Sequence, residues 1–164
     1  MLRFLATLYG LAAAVLIGVP VARACATPHE AAMFDVAGLK SELMVTALSC
    51  NADAQYNAFV TRFQAVLVAD DQELNGYFLH TYGRAGQAAH DAYITNVANK
   101  MSEVGVNEGT EFCHRHLALF PMVLGLESPA DLALFAASRG YVEPIAPARC
   151  TIAVSDPSRV AEQR

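Results

Sequence analysis

From residue 36 onward the chain repeats apolar side chains at intervals of three and four, the spacing of one helical face. Over residues 36–49 that face is Leu39, Leu43, Met44, Ala47 and Leu48. Tyr56, Phe59, Val60, Phe63, Val66 and Leu67 form the next stripe, the cleanest in the chain. Cys50 sits in the joint between them. Asn51 reads as the cap of the second helix, and Asp53 suits its positive end. A third helix is expected from Asp70 or Asp71, capped through Asp70 and Glu73, with Leu74, Tyr77 and Phe78 inward and Gly83 as its stop. The fourth, over residues 87–104, carries Ala89, Tyr93, Val97, Met101 and Val104 and ends at Gly105. Thr110 caps a fifth, whose apolar face is Phe112, Cys113, His116, Leu117, Phe120 and Leu124; Pro121 kinks or ends it. Ser128, Pro129 and Asp131 open a sixth that buries Leu132 and Phe135 and stops at Gly140.

The remaining stretches break this rhythm. Residues 25–35 contain Pro28 and read as a lead-in, extended and then entering the first helix, and residues 141–150 contain Pro144 and Pro147 and read as extended. Residues 151–164 are polar and unpatterned, a flexible tail. No run alternates long enough to predict a strand. The expected fold is all-α: a compact bundle of five to six helices over residues 25–150.

The first 24 residues change the picture of where this happens. A short basic start leads into an apolar run over residues 5–19, then Pro20 and the small-x-small sequence Ala22-Arg23-Ala24. This is the pattern of a cleaved export signal. The run falls short of the roughly 20 residues that span a bilayer, so a retained anchor is the lesser reading. Lipidation at Cys25 is a lesser one still, because Arg23 stands where a small residue is wanted. Removing Arg3 and Arg23 with the signal makes the formal charge two units more negative than the −5 of the whole chain. So acidic a domain repels phosphate backbones, and nucleic acid is not an expected partner. Membrane contact is expected only through the signal segment. The predicted location is periplasmic or secreted.

Four cysteines remain after the signal, an even number for an oxidising compartment, and they predict two disulfides. Sequence does not choose among the three pairings. The expected one joins Cys50 to Cys113, helix to helix, and Cys25 to Cys150, the two ends of the domain.

Signals for chemistry are sparse. His114 and His116 are two apart on a helix and point in different directions. His80 and His90 fall on neighbouring predicted helices without a ligand spacing, and H-E-x-x-H is absent. These four are the weak metal candidates, and no cofactor is implied. The acids Asp53, Asp70, Asp71, Glu73, Glu111 and Asp131 all read as helix-start residues. No G-x-S-x-G or phosphate loop occurs. The aromatic set Tyr56, Phe59, Phe63, Tyr77, Phe78, Tyr82 and Tyr93 reads first as core and second as the lining of a ligand pocket.

The signal segment followed by ELMVTALSC (residues 42–50), YNAFV (56–60), Phe112-Cys113 and a final Cys150 resembles small exported helical proteins of alphaproteobacterial type with four cysteines. The resemblance implies export and a helical scaffold, and it transfers no functional residue. The expected function is that of a non-catalytic binding or interaction module, with an envelope protein as the candidate partner. A carrier of a small apolar ligand is the first alternative, and a histidine-based metalloprotein or enzyme the second.

Overall fold

The computed structural model describes residues 25–150. The expected signal, residues 1–24, and the expected tail, residues 151–164, lie outside the described residues. Among the described residues there are α-helices and no strand, only a single parallel bridge between Ala26 and Arg149.

The chain is built around α1, Pro28–Cys50. Pro28 does not break this helix but starts it: Thr27 is the N-cap, and proline's missing N–H is harmless in the first turn. The Glu30 N–H donates to Thr27 Oγ1 at 3.3 Å and the Thr27 N–H donates to Glu30 Oε2 at 2.7 Å, closing a capping box. The expected extended lead-in is therefore mostly helix. From Ala31 to Ala47 almost every position is buried, including Asp35, Ser41, Glu42 and Thr46. Alanine and glycine at many of these positions let neighbours approach from all sides, so α1 is a core helix and not an amphipathic one. Its first and last turns reach solvent, and in the last Leu48 is 70% exposed against the inward position expected for it.

Asn51 ends α1 in the left-handed region (φ 55°), so it caps the first helix and not the second. The chain then reverses into α2, Asp53–Tyr82, one uninterrupted helix of 30 residues. The separate third helix expected from Asp70 does not exist. Nothing in residues 53–75 is glycine or proline, and Asp70, Asp71 and Glu73 lie in mid-helix. Asp70 turns partly inward, and burial, reinforced by Glu73, pushes its carboxyl up to about 7, with Lys40 pulling the other way.

A 3-10 turn at Gly83–Ala85 leads into α3, Gly86–Glu108. The fold-back is close: a Cβ on Gly86 would lie 2.6 Å from the Leu79 Cα, so no larger residue fits. Two short segments follow, α4 (Thr110–His116) and α5 (Leu119–Leu124). The expected fifth helix is thus broken at residues 117–118, just before Pro121. Finally α6, Pro129–Ser138, starts at Ser128, whose N–H and hydroxyl both donate to Asp131 Oδ2 at 2.9 Å. The bundle therefore has four helices, α1, α2, α3 and α6, and not five to six; α4 and α5, of seven and six residues, are bridging segments.

The main core joins Leu39, Leu43 and Ala47 of α1 to Phe59, Phe63 and Leu67 of α2, Phe120 and Val123 of α5, and Leu132 and Ala136 of α6. After α6 the chain, residues 139–150, comes back as an irregular strap over α1. Gly38 makes room for it: a Cβ there would stand 2.7 Å from Ile145 Cγ2 and 3.0 Å from the Tyr141 ring. A glycine in mid-helix is about 1 kcal/mol worse than alanine, and here close packing of the strap is the return. The Cys150 N–H donates to Ala26 O at 3.0 Å, the Ala26 N–H to Ala148 O at 2.9 Å, and the Tyr93 hydroxyl to Ile145 O at 2.7 Å.

Candidate functional site: an aromatic groove walled by the strap

The four cysteines form two bonds. Cys50 is joined to Cys113, clamping the end of α1 to α4, and Cys25 to Cys150, closing the domain's two ends beside the bridge at Ala26. Among the described residues no cysteine is free. Two disulfides suit an oxidising compartment.

Beneath the strap α1 carries two buried acids seven residues apart, hence on one helical face. Glu42, its side chain 3% exposed, accepts from Arg139 Nη2 at 2.8 Å and Nε at 3.3 Å, and the Tyr141 hydroxyl donates to its Oε2. Burial, then the charge and acceptor of Glu42, hold the Tyr141 phenol far above its usual range, so it remains a donor. His116 Nδ1 lies 2.8 Å from Glu42 Oε1 and its Nε2 lies 3.3 Å from Glu108 Oε2. These are ion-pair distances without hydrogen-bond alignment, since His116 Nδ1 and Glu108 Oε2 have no bonded partner. Both Glu42 oxygens accept bonds from residues at the start of the strap, so the cluster ties the strap to α1. One step toward the N-terminus, the fully buried Asp35 accepts from Arg149 Nη2 at 2.5 Å. Burial raises the Asp35 carboxyl and Arg149 opposes the shift. Sequence reasoning passed over all five residues, Asp35, Glu42, Arg139, Tyr141 and Arg149.

The strap so fixed forms one wall of a groove of about 310 Å³. Its floor and other wall are Phe34 of α1, Tyr77, Phe78 and Tyr82 of α2, and Tyr93 of α3; the strap adds Glu143, Pro144 and Pro147. The rings brace one another. Phe34 meets Tyr77 and Tyr93 edge to face at 5.2 Å, and Tyr82 stacks on Phe78 at 5.8 Å. Such pairs add about 0.5–1.5 kcal/mol each beyond burial, so the groove is a firm one. Tyr82 remains 53% exposed at its mouth. Burial raises the Tyr93 and Tyr77 phenols, and nearby carboxylates push the same way, Asp70 and Asp35 on Tyr93 and Glu30 on Tyr77.

The expected pocket set is split by the structure. Tyr77, Phe78, Tyr82 and Tyr93 come together, whereas Tyr56, Phe59 and Phe63 pack in the main core, with Phe59 and Phe63 buried. The reason is the length of α2: at 1.5 Å per residue, Tyr56 and Tyr82 are about 39 Å apart along it. A second cavity, about 70 Å³ between α1, α2 and α3 and bordered by Ser41 and Asp70, has room for a few waters at most.

The histidines are placed separately. His80 and His114 are exposed; His90 is buried with its ring 5.4 Å from that of Phe78; His116 stacks on Phe112 at 4.3 Å between its two acids. Among the described residues no three His, Cys, Asp or Glu side chains are grouped to hold a metal.

No protein-family model, curated protein or solved structure matches this chain. Its own architecture defines it as an all-helical domain held by two disulfides. Among the described residues no helix is long and apolar enough to cross a membrane.

Proposed function

We propose that this is an exported binding protein, periplasmic or secreted, that presents its aromatic groove to a small ligand and catalyses nothing. One observation carries the reading: the groove's wall is a strap tied down by a disulfide, two buried acids and a close approach at Gly38. A preformed apolar cleft with few polar groups is the usual form of a small-molecule site. The buried acids favour the same view, because their bonds to Arg139, Tyr141 and Arg149 hold the strap in place. Export is supported by the leader pattern of residues 1–24 and by the disulfides.

The test is a fragment titration followed by NMR on the full oxidised chain, using small aromatic, aliphatic and charged compounds. Saturable shifts confined to the rings of Tyr77, Tyr82 and Tyr93 and to the amide of Glu143 are expected, lost in Tyr82→Ser. A groove silent to every fragment class would overturn the proposal.

A further inference from the structure

We infer that the groove selects an alkylated ammonium group, an organic cation without N–H donors. The inference rests on the groove being a ligand site, and it names the ligand's chemistry. Three features of the groove point to it. Its lining is five aromatic rings, two prolines and one carboxylate, Glu143, and includes no lysine or arginine. An aromatic face carries partial negative charge and attracts a desolvated cation within about 6 Å of the ring centre. Tyr82 stacks on Phe78 through one face at an interplanar angle of 19° and is more than half exposed, which leaves the other face for a ligand.

The surrounding charges agree. Glu30, held ionised by the Thr27 backbone N–H, acts on Tyr77. Arg149, the nearest cation on the strap, is 2.5 Å from Asp35 and so neutralised. An anionic ligand would meet Glu143 with no base to answer it. A neutral apolar ligand would fit the rings but leave the acid idle. A primary ammonium is a strongly hydrated charge with three N–H donors, and the groove would answer them only with Glu143 and the tyrosine oxygens while its ring faces went unused. A trimethylammonium head asks for no acceptors, only for faces and a compensating charge. That is what these residues provide.

The probes are choline and its neutral carbon analogue 3,3-dimethylbutan-1-ol, titrated calorimetrically into the full oxidised chain with NMR reporting the place of binding. The cation's advantage over an equally shaped neutral molecule is expected to be about tenfold, the range of cation–π attraction in a partly desolvated site. Glu143→Gln, a change at an exposed position, should cut choline affinity several-fold and leave the alcohol unchanged. Tyr82→Leu, also exposed, should weaken choline more than the alcohol. Equal binding of both probes in the groove would overturn the ligand class while leaving the groove as a site. No shift at the groove from either probe, together with silence in the fragment titration, would overturn both.

Discussion

Glu42→Ala is expected to cost roughly 3–5 kcal/mol of folding stability, the range for removing one member of a buried, hydrogen-bonded charge pair. The loss follows from what is left behind. Arg139 and the half-buried Tyr141 both spend their donors on Glu42. Arg139 is itself about a third exposed, at 33%, so water rescues part of its charge and the larger share falls on Tyr141 and the emptied site. Arg139→Ala should therefore cost less than Glu42→Ala. A double-mutant cycle of Glu42→Ala with Tyr141→Phe, read from urea midpoints at constant slope, should show strong coupling. A loss below about 1 kcal/mol for Glu42→Ala would mean that the cluster is a solvated surface pair, contrary to its burial.

The disulfides carry the other large effect. Cys50 and Cys113 close a loop of 63 residues, and Cys25 and Cys150 one of 125. On the chain-entropy account, replacing either pair by serine costs about 4 to 5 kcal/mol, a large part of the 5–15 typical of a domain. The two pairs should nevertheless differ in consequence. Serine at 50 and 113 loosens α1 from α4, far from the groove, and should lower stability with ligand shifts intact. Serine at 25 and 150 frees the end of the strap. It should lower stability and also broaden or abolish the groove's response to ligand. Denaturation midpoints beside the same NMR titration distinguish these outcomes; equal groove responses in both variants would contradict the strap's role.

How much of this was legible in the chain depended on how far apart the interacting residues lie. Local rules worked where the signal was local: the stripe Phe59–Phe63–Leu67 is core, and Ser128 caps α6 through Asp131. Pro28 was misread because a proline marks a helix start as readily as a break, and only Thr27 and Glu30 together decide between them. Asp70 carries a capping pattern inside α2, where tertiary packing against α1 and α3 overrides it. The buried acids gave no local sign at all. Glu42 meets Arg139 across 97 residues and Asp35 meets Arg149 across 114, and α1, buried on every side, has no polar face against which an inward carboxylate would stand out. The groove was half visible. Phe78 and Tyr82 share a helical spacing on α2, but Phe34 belongs to α1 and Glu143, Pro144 and Pro147 enter only because the strap returns over that helix.

Peptide mapping of the protein taken from its own compartment, alkylated before lysis and digested without reductant, tests this account most directly. The expected result is two crosslinked peptides, Cys25 with Cys150 and Cys50 with Cys113, and no alkylated cysteine. Recovery of all four thiols in alkylated form would contradict both the tethered strap and the exported setting on which the groove's role depends.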